Sequence, residues 1–236
     1  FPAIGKAKGM GDIVSYPNGS YVPIQDTWAN EKSQKPRTDL GSYLLPSSGI
    51  SRLTLGDGAD QQQLYLNFVP KYGHNHLDPL NLNLFAEGQE LLPDIGYTHT
   101  FFRKWTSSTL AHNTVVVDGR DMTLEGDGLH GGQIESFLPI DETVKIAKAR
   151  QPEAYPVTSE YSREPWLIGF GDGPEGKGYV VDIFRVSGGN RHEYTLGGDA
   201  NRDADFRTNL PLQPYNDYLL PPGTEVRMPE SENDYG

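Results

Sequence analysis

Apolar and polar residues alternate along several short segments of this chain. The alternation is regular over residues 50–55 and 64–69, and over residues 80–85 leucine occupies the first, third and fifth positions. Because successive side chains of a β-strand point to opposite faces of a sheet, this period of two predicts half-buried strands. The sequence Ala86-Glu87-Gly88-Gln89 then predicts a hairpin turn that returns through residues 91–92.

Further strands are predicted on both sides of this hairpin. They lie near residues 21–24, 114–117, 132–139, 143–150, 157–162, 178–186 and 191–196. No segment shows a persuasive helical period and no repeat is present, so we expect an all-β fold, an antiparallel β-sandwich or large twisted sheets. Residues 1–47 are expected to form an irregular lead-in with edge strands, residues 48–208 the sandwich, and residues 209–236 an acidic, proline-rich tail at a truncated sheet.

The composition limits the functions open to such a fold. With 236 residues the chain can bury one sizeable core or two small ones, and it has no cysteine and no long apolar segment, so we expect neither disulfides nor a membrane-spanning helix. The net charge is −12, and no basic face of the kind that binds nucleic acid is visible. Residues 121–236 hold 21 acidic and 10 basic residues, whereas residues 67–120 are close to neutral, which is compatible with an anionic sugar.

A histidine pair carries the most distinctive chemistry. His74 and His76 lie two residues apart before the strand at 80–85, so in an extended chain they face the same side. Asp94 and His112 follow at the ends of later predicted strands. Imidazole and carboxylate ligands of this kind suit Zn²⁺, Mn²⁺ or Fe²⁺.

Other interpretations of these residues remain open from spacing alone. His76, Asp78 and a distal histidine, His112 or His130, would form the two-histidine, one-carboxylate triad of a non-haem iron oxygenase. A histidine pair of this spacing in a β-protein also suggests a cupin.

The segment 97–111 is an aromatic and basic loop, which is where function often lies. Trp105 and the neighbouring Arg103 are candidates for contact with a sugar. Tyr97 offers a phenol that can serve as an acid or base.

Three ordered blocks of the sequence resemble the heparinase II/III-like polysaccharide lyases. They are Gly-His-Asn-His-Leu-Asp-Pro-Leu-Asn-Leu-Asn-Leu-Phe, Glu-Leu-Leu-Pro-Asp-Ile-Gly-Tyr and Thr-Leu-Ala-His-Asn-Thr-Val-Val-Val-Asp-Gly, and residues 178–189 are similar as well. Such enzymes join an N-terminal (α/α) toroid to a β-sandwich. The resemblance covers about residues 48–198 and implies that this chain is the sandwich region without its toroid.

The resemblance also implies roles for individual residues. His74 corresponds to the active-site histidine, and His76, Asp94 and His112 correspond to the ligands of Zn²⁺, with Mn²⁺ as an alternative metal. Tyr97 lies near a tyrosine of the family and is a second catalytic candidate, and the loop 97–105 matches a region that flanks the substrate cleft. Candidate substrate contacts are therefore Asn75, Arg103 and Trp105. The family's other catalytic groups come largely from the toroid.

The implied activity is β-elimination on a uronic-acid polysaccharide, which leaves a 4,5-unsaturated end. The expected partners are an anionic polysaccharide or oligosaccharide and the missing toroid, and neither nucleic acid nor a membrane. We expect a periplasmic or secreted protein; the chain starts at Phe1 without a signal segment, so processing removed one or the chain belongs to something longer. Two alternatives are a uronyl C5-epimerase on the same scaffold and a non-catalytic, metal-stabilised carbohydrate-binding sandwich.

Overall fold

The computed structural model describes residues 9–28, 31–69, 76–97, 103–123, 132–139, 143–170, 176–199, 205, 207–213 and 215. Within these ranges the chain forms eleven strands in three antiparallel sheets. The described ranges also contain two short α-helices, α1 (Met10–Ile13) in the lead-in and α2 (Arg103–Thr106) between the strands Gln89–Leu92 and Val115–Val117. None of the helices in the described ranges has the length and apolar character needed to cross a bilayer.

The first sheet has five strands in sequential order, a meander built from consecutive hairpins. Its strands are β1 (Tyr43–Leu45), β2 (Ile50–Leu55), β3 (Gln62–Asn67), β4 (Leu82–Ala86) and β5 (Gln89–Leu92). Leucines pair across the central strands, Leu53 with Leu64 and Leu64 with Leu84. The turn between β4 and β5 places Glu87 and Gly88 at positive φ, as the predicted hairpin requires.

The second sheet has four strands in the order β10-β9-β8-β7. They are β7 (Gln133–Leu138), β8 (Val144–Arg150), β9 (Thr158–Gly169) and β10 (Gly178–Gly188). A third, two-stranded sheet pairs β6 (Val115–Val117) with β11 (His192–Tyr194).

The main core lies between the five-stranded and four-stranded sheets. Leucines of β2, β3 and β4 pack in one buried cluster with Ala147, Ala149, Tyr161 and Leu167 of β8 and β9. The burial of these apolar faces against each other is the main force that holds the two sheets together. The expected antiparallel all-β sandwich is confirmed.

The lead-in covers the opposite face of the five-stranded sheet. Tyr16, Val22 and Ile24 join a second buried cluster with Tyr65 of β3 and Phe85 of β4. The ring of Tyr16 stacks on that of Phe85 at 4.8 Å between centroids. Because both faces of this sheet are covered, every residue of β2 and β3 is buried, including the polar ones.

The strand predictions differ from the structure in three places. Residues 21–24 form no strand, and only isolated bridges such as Ser15 to Tyr21 occur nearby. The edge strand Tyr43–Leu45 is not among the individually predicted strands, although edge strands are expected within residues 1–47. Strand β9 continues to Gly169, well beyond the predicted end at residue 162.

Candidate metal centre

Three side chains from separate segments meet at the end of the five-stranded sheet. The Nδ1 atom of His76 lies 3.1 Å from Nε2 of His112, and that Nε2 lies 3.3 Å from Oδ2 of Asp94. One ligand-type atom from each of the three residues falls within 4.8 Å of the others, and all three residues are buried. The structure therefore brings together the three residues predicted as metal ligands.

Backbone and side-chain hydrogen bonds bring these segments together. The N–H of Leu77 donates to the carbonyl of Ser107 at 2.9 Å, and the hydroxyl of Thr109 donates to the carbonyl of Leu77 at 2.7 Å. These bonds hold His76 beside the turn that ends at His112. Asp94 follows β5, where its Oδ1 accepts the N–H of Gly96 at 2.8 Å.

The tautomer of His112 is fixed by a backbone carbonyl. Its Nδ1 lies 2.6 Å from the carbonyl oxygen of Ser108. A carbonyl only accepts hydrogen bonds, so Nδ1 carries a proton, and in the neutral ring Nε2 presents a lone pair. This lone pair points toward Nδ1 of His76 and the carboxylate of Asp94.

His76 is held by two consecutive residues of the lead-in. Its backbone N–H donates to Oε1 of Gln25 at 2.6 Å, and its Nε2 lies 3.3 Å from Oδ1 of Asp26. The second distance is just beyond the ordinary N–H···O range of about 2.7–3.2 Å, so the contact is mainly electrostatic. A carboxylate beside Nε2 favours a proton there and leaves the Nδ1 lone pair toward His112.

Charge and burial set the protonation of the cluster. Burial disfavours a charged His112, but the charges of Asp94 and Asp78 and the hydrogen bonds to Asp94 and Ser108 together outweigh it and raise the pKa of His112 to about 9. Burial likewise opposes ionisation of Asp94, but His112 outweighs it, so the pKa of Asp94 is lowered. Burial lowers the pKa of His76. The group is thus arranged around one positive charge, which either a proton or a cation can supply.

The geometry fits a divalent metal. Zinc binds imidazole nitrogen and carboxylate oxygen at about 2.0–2.2 Å, which separates neighbouring tetrahedral ligands by roughly 3.3 Å. The two separations from Nε2 of His112, 3.1 Å and 3.3 Å, match this edge length, and the ligand atoms of all three residues lie within 4.8 Å of one another. Once a bound metal displaces the proton of His112, two imidazoles and a carboxylate form the donor set of a zinc site with a further open position.

Asp78 does not belong to this group. Its Oδ1 accepts the amide of Gln25 and its Oδ2 accepts the amide of Asn67, each at 2.7 Å. Both oxygens are thus engaged away from the cluster, which argues against the iron triad built on Asp78. Burial raises the pKa of Asp78. His130, the alternative distal ligand of that triad, lies outside the described residues.

An aromatic and cationic group lies next to the centre. The guanidinium of Arg103 sits 4.4 Å from the ring centre of Tyr97, whose ring packs edge-on against Trp28 at 4.5 Å. Nη2 of Arg103 donates to both carboxylate oxygens of Asp26, at 2.8 Å and 2.9 Å. Trp105 lies on α2 and is partly exposed.

The remaining predicted site residues, His74 and Asn75, lie outside the described residues. Sequence reasoning missed Gln25, Asp26 and Trp28. Gln25 contacts His76 from 51 positions away, and no local motif marks so distant a contact. The available signal in the sequence was an aspartate and a tryptophan, Asp26 and Trp28, close together in an otherwise polar lead-in.

Residues 37–173, more than half of the chain, match the family described as "Heparinase II/III-like, C-terminal". The chain belongs to this family.

Two curated proteins are similar in sequence. An alginate lyase of Stenotrophomonas maltophilia (strain K279a) is 26% identical over 164 residues, which cover 63% of this chain and 22% of that protein. An exo-oligoalginate lyase of Saccharophagus degradans (strain 2-40) is 26% identical over 192 residues, covering 66% of this chain and 25% of that protein. The chain thus spans about a quarter of the length of these relatives.

Solved structures share the fold. A heparinase III superposes with a TM-score of 0.63 at 18% identity, covering 78% of this chain and 32% of the other. The heparan sulfate lyase HepC from Pedobacter heparinus gives 0.62 at 18% identity, covering 80% and 33%. At this identity the likeness shows the β-sandwich architecture alone.

Proposed function

We propose that this chain is the β-sandwich part of a polysaccharide lyase and that it holds one zinc ion through His76, Asp94 and His112. The observation that carries the proposal is the convergence of Nδ1 of His76, Oδ2 of Asp94 and Nε2 of His112 in a member of this family. Manganese is a second metal that this donor set accepts.

The proposed reaction is β-elimination on a uronic-acid polysaccharide. The relatives are named as alginate, exo-oligoalginate and heparan sulfate lyases, whose names share an anionic substrate. A base removes the proton at C5, and an acid protonates the departing glycosidic oxygen. The C5 proton becomes acidic only when donors or positive charge offset the neighbouring carboxylate. Since the named relatives are lyases, they give no support to the epimerase alternative.

We assign the acid–base or charge-neutralising role to His74, with Tyr97 as a second candidate. The bound metal would supply a fixed positive charge that holds the segments of His76, Asp94 and His112 together. His76 lies two residues after His74, so its anchoring limits where His74 can reach. Asn75, Arg103 and Trp105 are the proposed substrate contacts. Arg103 binds Asp26 through Nη2 and keeps 35% of its side chain exposed, which places it at the surface beside the metal centre.

The complete enzyme is proposed to include an N-terminal toroid and to act in the periplasm or outside the cell. The chain covers only about a quarter of the length of its curated relatives, which supports the proposal that the complete enzyme is larger. The toroid would supply the remaining catalytic groups, so the 236-residue chain by itself is expected to be inactive or nearly so.

The test is to assay the complete gene product on alginate, heparan sulfate and other uronate polymers by the ultraviolet absorbance of the unsaturated product. His74→Ala should abolish the rise in absorbance while zinc is retained, whereas His76→Ala should lose zinc and stability together. Exchange of solvent deuterium into C5 without a rise in absorbance would identify an epimerase. Binding without either change would identify a carbohydrate-binding module. Equal zinc loss in both variants would show that the two histidine roles are wrongly assigned.

A further inference from the structure

The lead-in before the matched family region reaches the candidate metal centre. The match begins at residue 37, yet Gln25, Asp26 and Thr27 contact the segments that surround the three clustered residues. Thr27 accepts the backbone N–H of Tyr97 at 2.9 Å, three residues after Asp94. The lead-in is therefore part of the site's construction.

The lead-in is held rigidly enough to serve this purpose. Tyr16, Val22 and Ile24 are buried against the five-stranded sheet. The hydroxyl of Thr27 donates to the carbonyl of Ile24 at 2.6 Å and closes the turn that presents Asp26. Gln25 adopts a φ of 58°, a conformation that non-glycine residues keep only when the surroundings enforce it.

Asp26 lies between the ring of His76 and the guanidinium of Arg103. Its side chain is only 10% exposed, and its Oδ1 lies 3.3 Å from Nε2 of His76 and 2.8 Å from Nη2 of Arg103. The contact with Nε2 is electrostatic, and a negative charge favours a proton on the ring nitrogen that faces it. The position of Asp26 therefore favours the His76 tautomer with the proton on Nε2.

We propose that Asp26 is a positioning residue of the metal centre, which keeps the proton of His76 on Nε2 so that Nδ1 faces the cation. The inference rests on the proposed metal site. Carboxylates behind ligating histidines commonly fix the ring's tautomer and orientation in this way, and their loss lowers metal affinity by about 10- to 100-fold. Arg103 holds the carboxylate from the other side, since its Nη2 contacts both oxygens.

The experiment compares zinc binding by the full 236-residue chain and its variants, using a competing chromophoric chelator. Asp26→Ala should weaken zinc binding by about 10- to 100-fold. Asp26→Asn should weaken it less, because the amide oxygen still accepts but carries no charge. The matched control is Asp12→Asn, an equal change of charge in the same lead-in. Asp12 accepts the hydroxyl of Ser33 and does not contact the cluster in the described residues.

A second readout separates positioning from general stability. Long-range proton–nitrogen spectra of the zinc-loaded parent should show the His76 ring with its proton on Nε2. In Asp26→Ala this signal should decrease or split, while the unfolding midpoint of the metal-free chain stays within the range of Asp12→Asn.

Each outcome decides the matter. Unchanged zinc affinity and ring spectra in both Asp26 variants would overturn the role of Asp26 and leave the metal site intact. Equal loss of affinity in Asp12→Asn would also overturn it. A parent chain that binds no zinc would overturn the metal site and the role of Asp26 together. If Asp26→Ala does not fold, Asp26→Asn decides, since it keeps the size of the side chain.

Discussion

The Nδ1 atom of His112 lies 2.6 Å from the carbonyl oxygen of Ser108, so the ring must turn its Nε2 toward Asp94 and His76. The backbone turn at Ser108 thus fixes the orientation of the His112 ring as a metal ligand. Because Ser108 acts through its backbone, the orientation does not depend on the serine side chain.

The first prediction concerns the loss of this ligand. His112→Ala should lower zinc affinity by at least about 100-fold, the upper end of what the loss of a supporting partner costs. The matched control is His192→Ala, since His192 is exposed on β11 and its Nε2 lies 2.8 Å from the carbonyl of Gly188. Chelator competition measures both affinities. Comparable loss in the two variants would contradict a specific role for His112.

Much of the fold could be predicted from the sequence because its hairpins are local. Strand β2 coincides with the predicted segment, and the β4–β5 turn follows from Glu87-Gly88. The end of β9 could not be predicted in the same way, because Pro165 interrupts the pattern. In the structure, β8 and β9 pair on both sides of Pro165 in one register, and β10 supports the strand from the other edge.

The candidate site was predicted only in part, for a related reason. His76, Asp94 and His112 stand out as ligand-type residues at strand ends. Asp26 reaches His76 only because the lead-in folds back over the sheet, and that packing rests on scattered residues such as Tyr16. Such a contact depends on tertiary structure, and no characteristic residue spacing in the sequence indicates it.

The second prediction concerns Arg163, a fully buried residue that ties the sheets together. Its Nε and Nη2 donate to the two oxygens of Asp182, each at 2.9 Å, and its Nη1 donates to the carbonyls of Leu80 and Asn113. Arg163→Met should lower the free energy of unfolding by about 3–5 kcal/mol, because it leaves the carboxylate of Asp182 without its cationic partner.

The control for this prediction is Arg185→Met. Arg185 pairs with Glu164 at 2.9 Å, but its side chain is 41% exposed, so the loss should stay below about 1 kcal/mol. Adding Asp182→Leu to Arg163→Met should restore part of the stability. Denaturant unfolding measures all four proteins. Equal losses of unfolding free energy in Arg163→Met and Arg185→Met would show that burial of Arg163 does not strengthen its ion pair.

The third prediction uses two glycines with similar backbone conformations. Gly96 has a φ of 67°, and a Cβ there would lie 2.3 Å from the carbonyl oxygen of Thr27. Gly88 has a φ of 75° and nothing within 4 Å of such a Cβ. Gly88→Ala should therefore cost about 1–2 kcal/mol for the left-handed backbone alone, and Gly96→Ala about 1–3 kcal/mol more.

Gly96→Ala should also weaken zinc binding, because the Gly96 N–H donates to Oδ1 of Asp94. Gly88→Ala should leave zinc affinity unchanged. Thermal unfolding and chelator competition on the two variants check both statements. A Gly96→Ala protein as stable as Gly88→Ala would mean that the lead-in can shift away from residue 96 freely.

The fourth prediction concerns pH. Burial, with the nearby negative charges of Asp199 and Asp94, raises the pKa of Glu90 to about 7 from its ordinary value of 4.5. Between pH 4.5 and 7 the unfolded chain loses this proton while the folded chain keeps it, so the residue lowers stability as the pH rises through this window. Above pH 7 Glu90 is ionised in both the folded and the unfolded chain, so the stability that it costs no longer changes with pH.

Glu90→Gln should remove this effect. The variant should be more stable than the parent by about 1–3 kcal/mol above pH 7, and the difference should vanish toward pH 4. The matched control is Glu87→Gln, at an exposed position of the β4–β5 turn. Denaturant unfolding across this pH range gives the comparison. A gain that is constant with pH would contradict the account.

The most direct test of the central claim is the metal content and coordination of the purified chain after equilibration with zinc. Elemental analysis should find one zinc per chain, and X-ray absorption should show two imidazole nitrogens and a carboxylate oxygen at about 2.0–2.2 Å. The His76→Ala and Asp94→Ala variants should each lose the metal. A parent chain that retains no zinc, or a zinc that stays bound with unchanged ligands in both variants, would contradict the claim that these residues form a metal centre.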